Sequence, residues 1–249
     1  MQLMYKVANA PVAEFPFPHI LVRDVFPADY YRELREHLPP LEVFKSLQSL
    51  GRVSGSYPDA RGVLPLEAEH LDRLAEPYRG FWSALAQWLI GGAFGHVVLQ
   101  KFAPQLSQRF ADVNSVSFYG EALVVLDRTT YALGPHTDTP SKVMSFLFYL
   151  PQDDAMAHLG TSIYVPKEAG FESDGSESYH PYDKFHRFAT MPYVPNTLFA
   201  FVKTPNAFHG VEPIAEAGVE RALLLFDIRH RAAAPAMPAT GSPSARFSF

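Results

Sequence analysis

The 249-residue sequence contains no cysteine. That excludes a disulfide framework, thiolate catalysis and any Cys-ligated zinc or iron–sulfur site, while leaving the compartment open. A surplus of positive charge is missing too: 21 Lys and Arg face 26 Asp and Glu, a formal net charge of −5. Phosphate contacts need a basic surface, so nucleic acid is not expected as the main partner. Long apolar runs are also lacking. The N-terminal stretch MQLMYKVANAPVAEFPFPH has no continuous apolar core of signal-peptide length. The most apolar later stretch, residues 89–99, contains Gly and His and is too short to span a bilayer. A soluble, cytoplasmic protein without a membrane partner is the expectation, and no internal repeat stands out.

What the chain does have is apolar bulk: 47% hydrophobic residues, with 20 Phe and 12 Tyr, enough for a sizeable core. Residues 19–26 alternate as a strand does. PADYYRELREHL (27–38) opens with Pro and an acid, carries apolar residues at helical spacing and ends at Pro39-Pro40. Residues 41–63 are rich in turns. From about 67 to 102 the pattern is helical, with breaks expected at Pro77 and at Gly91-Gly92. Beyond about 114 the texture changes to short apolar runs at 121–126, 143–150, 161–165, 197–202 and 221–228, separated by turn residues. Such spacing predicts a sandwich or barrel. The expected organisation is one unit over 1–231, with helix-rich support in 1–113 and a β-core in 114–231. A polar insertion at 166–192 is read as a solvated loop or a lid, and a flexible tail is expected at 232–249.

The chemistry concentrates in GPHTDTPSK (134–142). On an extended strand, side chains at i and i+2 share a face, so His136 and Asp138 can bind one metal while Thr137 faces away. An H-x-D pair alone is weak, but "AFHGVEP" brings His209 directly after another apolar run, as a third ligand from a neighbouring strand. Two His and one carboxylate on one face of a metal leave the other face open, the arrangement that suits non-haem Fe(II). His180 and His186 with Asp183 form a conceivable second cluster, but inside a polar insertion they read as surface histidines. Arg221 heads the apolar run RALLLFDI. An arginine there is costly unless it meets an anion, and its planar fork suits a carboxylate.

Together, His136-x-Asp138, His209 and Arg221 resemble the signature of the Fe(II)/2-oxoglutarate-dependent oxygenases, whose core is a double-stranded β-helix, or jelly roll. "HTDTPSKVMSFLFYL" is similar to the prolyl-4-hydroxylase-like branch in particular. "LGTSIYVP" and "PNTLFAFVKTPNAFHGVEP" resemble the strands that follow and that deliver the distal histidine. The resemblance covers roughly residues 114–230. It implies Fe(II) held by His136, Asp138 and His209, and 2-oxoglutarate whose distal carboxylate is held by Arg221 and by the hydroxyl of Tyr149. It also implies O2 as co-substrate and, as an optional addition, ascorbate. Tyr131 and Lys142 are further candidates for contact with the co-substrate, against plain readings as a core tyrosine and a solvated strand-start lysine. Arg229 is a reserve for the role of Arg221. Because Asp138 is present, chloride has no place on the metal and halogenation is disfavoured.

The implied reaction is hydroxylation of a C–H bond in a small polar substrate such as an amino acid, peptide or sugar derivative, with release of succinate and CO2. The acids of the insertion lean towards a cationic or neutral substrate. Two alternatives stay open: a cupin-type jelly-roll metal enzyme that does not use 2-oxoglutarate, and a non-catalytic jelly-roll binding module. Oligomeric state is left open.

Overall fold

The computed structural model describes residues 1–53, 57–231 and 246–247. Its first part runs α1 (Gln2–Asn9), β1 (His19–Arg23), α2 (Ala28–Glu36), β2 (Lys45–Ser46), β3 (Arg61–Pro65), α3 (Ala68–Leu71), α4 (Tyr78–Ile90), α5 (Ala93–Lys101) and α6 (Ala103–Arg109). The second part holds β4 (Ser117–Arg128), β5 (Leu133–His136), β6 (Lys142–Tyr149), β7 (Thr161–Pro166), β8 (Phe185–Met191), β9 (Thr197–Val202), β10 (His209–Val211), β11 (Glu220–Arg231) and β12 (Arg246–Phe247).

The eight strands β4 to β11 form two facing antiparallel sheets. One has the order β9-β6-β11-β4 at its centre, the other β5-β10-β7-β8. Strands 4, 6, 9 and 11 lie in the first sheet and 5, 7, 8 and 10 in the second, so the chain winds between the layers as a jelly roll does. The larger sheet is extended by β1 beyond β9, and by β3 and β2 beyond β4. The support region is therefore not purely helical: the turn-rich stretch 41–63 includes two of these added strands.

Strand β11 pairs with β4 over its whole length and with β6 on its other side. Being central, it is covered on both faces, and its residues sort by parity. Ala222, Leu224, Phe226 and Ile228 pack into the outer core with α2, α4 and α5. Arg221, Leu225, Asp227 and Arg229 face a cavity between the sheets. The helical layer ends where the sequence says it must. Helix α2 buries Tyr31 and Leu34 at i, i+3 spacing. It is also fastened to the end of β6, with the Tyr31 hydroxyl donating to the Pro151 carbonyl at 2.6 Å and Arg35 donating to that of Leu150. Asn196 adopts φ +53° and bonds both backbone groups of Phe26 through its side chain.

Two expectations need correction. The insertion is shorter than 166–192, because 185–191 form a strand of the smaller sheet; a bulge at Phe188, itself exposed, breaks the strand period. A regular strand beginning at Val143 would put Val143 and Ser145 on one face, and they do not share one. Opposite Ile228 and Arg229 the register slips by one, so Val143 is an extra residue in β6. This bulge sends Val143 into the outer core and turns Lys142 towards the cavity beside Ser145. The tail at 232–249 lies outside the described residues except for 246–247, which pair with β4. No single helix among the described residues is long and apolar enough to cross a membrane.

Phe94 on α5 is fully buried and packs edge-on against Phe146 at 5.4 Å and tilted against Phe226 at 5.6 Å, joining the helical layer to two central strands. Phe94→Ala is expected to cost about 3–5 kcal/mol through lost burial and the cavity left behind. Urea unfolding would show this as a lower midpoint with an unchanged slope.

Candidate metal centre

His136 ends β5 and His209 begins β10, and the two strands pair so that these residues stand opposite each other. Their rings lie 4.3 Å apart between centroids. Each Nδ1 sits 3.0 Å from the carbonyl two residues back, that of Gly134 for His136 and that of Ala207 for His209. Donation to those carbonyls fixes one tautomer in both rings and leaves each Nε2 lone pair free to bind a metal. Asp138 supplies the third donor, with Oδ1 4.0 Å from His209 Nε2. The ligand atoms of the three residues lie within 4.8 Å of one another, a spread that one divalent cation can gather.

The carboxylate of Asp138 is held from two sides. Ser145 Oγ donates to Oδ2 at 2.7 Å, and Lys142 Nζ donates to Oδ1 at 3.0 Å while also pairing with Asp227 at 3.0 Å. Burial opposes ionisation of Asp138, but Lys142 and the two histidines outweigh it and hold the carboxyl well below the usual range. Burial and the neighbouring His209 push His136 down to about 3, and burial also lowers His209. The triad is therefore two neutral imidazoles and one carboxylate at neutral pH. For Asp227, burial and the nearby Asp138 push the carboxyl up against Lys142 and Arg229.

All three donors line one cavity of about 360 Å³ between the sheets. At the Arg221 end a compact charge group is buried. Asp127 is wholly buried and accepts from Arg61 at 2.6 and 2.9 Å and from Arg221 at 2.6 Å. Arg221, also wholly buried, donates further to the carbonyl of Leu159 and to Thr161 Oγ1. Two guanidinium groups thus share one carboxylate. Beside them lies the hydroxyl of Tyr149, buried and without a hydrogen-bond partner, its ring 5.8 Å from the Arg221 guanidinium. Burial pushes that phenol up, so it remains a donor. Tyr131 stands one layer back, its ring 4.4 Å beneath the Arg61 guanidinium and its hydroxyl 3.3 Å from that of Tyr57.

The structure brings the triad, Arg221 and Lys142 to one cavity, with Tyr149 packed beside Arg221 at one end and Lys142 beside Asp138 and Asp227 at the other. Arg61, Asp127 and Asp227 were missed. Arg61 lies in a stretch that reads as turns. Asp127 and Asp227 look like strand-end and mid-strand polar residues until β4 and β11 are set in register, which pairs Arg221 with Asp127. His180 is a further correction: it is buried rather than on the surface, packed against Phe171, Phe185 and Phe208 with Nδ1 3.0 Å from Glu177. His186 is exposed, and these residues form no second donor cluster among the described residues. The His180 amide donates to the Pro135 carbonyl at 2.7 Å, so the insertion is pinned beside the triad. Gly175 in this segment has φ +88°, and a Cβ there would meet the Asp138 carbonyl oxygen at 1.8 Å, so only glycine lets the chain pass so close.

Among solved structures, the chain is similar to a prolyl-4-hydroxylase from Pseudomonas putida (16% identity, covering 91% of this chain and 97% of the other, TM-score 0.49). It is also similar to the non-haem alpha-ketoglutarate-dependent epimerase SnoN from nogalamycin biosynthesis (14%, 97% and 91%, 0.48). A third is HygX from Streptomyces hygroscopicus, solved with nickel and 2-oxoglutarate bound (13%, 85% and 82%, 0.45). No family model matches the chain, and no curated protein matches it significantly.

A pH prediction follows for the metal-free protein. The unfolded chain protonates His136 near pH 6.5, whereas the folded protein keeps it neutral down to about 3. Between those values the unfolded state binds more protons, so stability falls as pH is lowered through this window. Urea unfolding at pH 6.5, 5.5 and 4.5 should show that fall, with a shallower slope in His136→Gln.

Proposed function

We propose that the protein is an Fe(II)- and 2-oxoglutarate-dependent oxygenase that hydroxylates a C–H bond of a small polar molecule. O2 is consumed, and succinate and CO2 are released. One observation carries this reading: a single cavity joins a His-Asp-His donor set to a buried group in which two arginines share one carboxylate beside an unpartnered tyrosine hydroxyl. Buried charges are expensive unless balanced. One further monoanion would balance Arg61 and Arg221 and would give Tyr149 its acceptor, which is what the distal carboxylate of 2-oxoglutarate offers.

The remaining roles belong to the chain. His136, Asp138 and His209 would hold the metal, with Ser145 and Lys142 fixing the carboxylate's orientation. Leu123, Val125 and Leu225 line the cavity as an apolar belt, against which the methylenes of the co-substrate would lie away from water. Bound iron supplies the oxidising chemistry that couples decarboxylation of 2-oxoglutarate to oxidation of the substrate.

His136→Ala is expected to lose stoichiometric Fe(II) binding. Arg221→Ala is expected to weaken 2-oxoglutarate at least tenfold while retaining iron, read from the weak visible charge-transfer band in an anaerobic titration. Co-substrate affinity unchanged in Arg221→Ala would overturn the role given to this residue.

A further inference from the structure

Lys142 is shared between two buried carboxylates, and the sharing bears on how the triad accepts a metal. Its ammonium donates to Asp138 Oδ1 at 3.0 Å and pairs with Asp227 Oδ2 at 3.0 Å, with Ser145 Oγ a third acceptor at 3.4 Å. Every N–H of the ammonium therefore has an acceptor. Oδ1 is the oxygen that stands 4.0 Å from His209 Nε2, and Oδ2 already accepts from Ser145. A metal held by the triad and the ammonium of Lys142 thus converge on one carboxylate. Two cations on one acid repel strongly in a site this dry, where the side chains of Asp138 and Asp227 are each 7% exposed.

Asp227 gives that ammonium a second place. Arg229 stands on its other side at 3.6 Å and is itself fixed by Glu121 at 2.8 Å and by Ser141 at 3.0 Å. The alternation of charges continues from Glu121 to Arg52 and from Arg52 to Glu67. Along this ladder three cations meet four carboxylates. Its inner end is Asp138, where a bound divalent cation would offset the surplus acid. The backbone beneath Lys142 is held, because Arg109 donates to the carbonyls of Pro140 and Lys142 and the Lys142 amide donates to that of Thr139. With its base fixed, the part free to pivot is the flexible methylene stem, which carries a compact charge with no planar docking geometry to satisfy.

We propose that Lys142 holds the place of the metal on Asp138, and that Asp227 is a positioning residue that takes the ammonium over when the metal binds. The inference rests on the metal reading of the triad. It makes Lys142 a brake on metal affinity instead of a contact for the co-substrate. Asp227, which is not a ligand, then acts on the metal only through Lys142. Before the metal arrives, the same ammonium keeps two buried carboxylates compensated, so the empty triad stays in place.

The test measures the Fe(II) affinity of the full chain anaerobically, without 2-oxoglutarate, by competition with a coloured chelator. Lys142→Met should bind Fe(II) about tenfold more tightly than the parent, because a neighbouring positive charge is gone. Asp227→Asn, which leaves the ammonium to Asp138 alone, should bind it about tenfold more weakly. The double variant decides whether Asp227 acts through the lysine: with Lys142→Met in place, adding Asp227→Asn should leave the affinity within about twofold. A merely structural role would weaken binding in both single variants. Lys142→Gln gives the same reading if Lys142→Met does not fold. Unchanged or weaker binding in the lysine variant, unchanged or tighter binding in Asp227→Asn, or a larger change on adding Asp227→Asn to the lysine variant would each overturn the proposal. A parent protein that binds no Fe(II) would instead sink the triad reading.

Discussion

The register of β11 between β4 and β6 is the constraint on which the rest depends. Because both faces of this strand are covered, its period of two does not separate buried from exposed residues; it separates core from cavity. Even-numbered residues anchor the helical layer. Odd-numbered ones present Arg221 at one end, an apolar belt in the middle, and Asp227 with Arg229 at the other. A slip of one residue would drive two arginines and an aspartate into the aromatic core around Phe94, and leucines into the cavity. Cavity chemistry and core packing are therefore fixed by the same hydrogen-bond ladder.

The bulge at Val143 complements that register. In an unbroken β6, Lys142 would share a face with Met144 and Phe146 and point into the outer core. The extra residue turns it to the cavity, where it pairs with both Asp138 and Asp227. A local backbone irregularity thereby links the metal triad to the charged ladder. Gly175 contributes from the other side by letting the insertion run against the backbone of Asp138.

Much of this was legible in sequence, and what was not has a common cause. The H-x-D spacing, His209 after an apolar run and Arg221 at the head of another are local patterns, as are the breaks at Pro77 and Gly91-Gly92. Arg61, Asp127 and Asp227 matter through partners 66, 94 and 85 positions away, and no local period announces such pairs. One signal was available: 221, 227 and 229 share parity, so three charged residues in one apolar run had to face the same side. The strand at 185–191 is hidden because a bulge at Phe188 breaks its alternation and leaves three successive residues exposed, and buried His180 because its aromatic partners Phe171, Phe185 and Phe208 follow no regular spacing.

The central claim is that one cavity holds a metal at His136, Asp138 and His209 and an organic dianion reaching Arg221. Anaerobic titration of 2-oxoglutarate into the Fe(II)-loaded protein tests it most directly. The account predicts a weak visible charge-transfer band that saturates near one equivalent and requires far more 2-oxoglutarate in Arg221→Ala. Stoichiometric iron without a band would contradict the co-substrate assignment and favour a jelly-roll metal enzyme of another kind; failure to bind iron would contradict the triad itself.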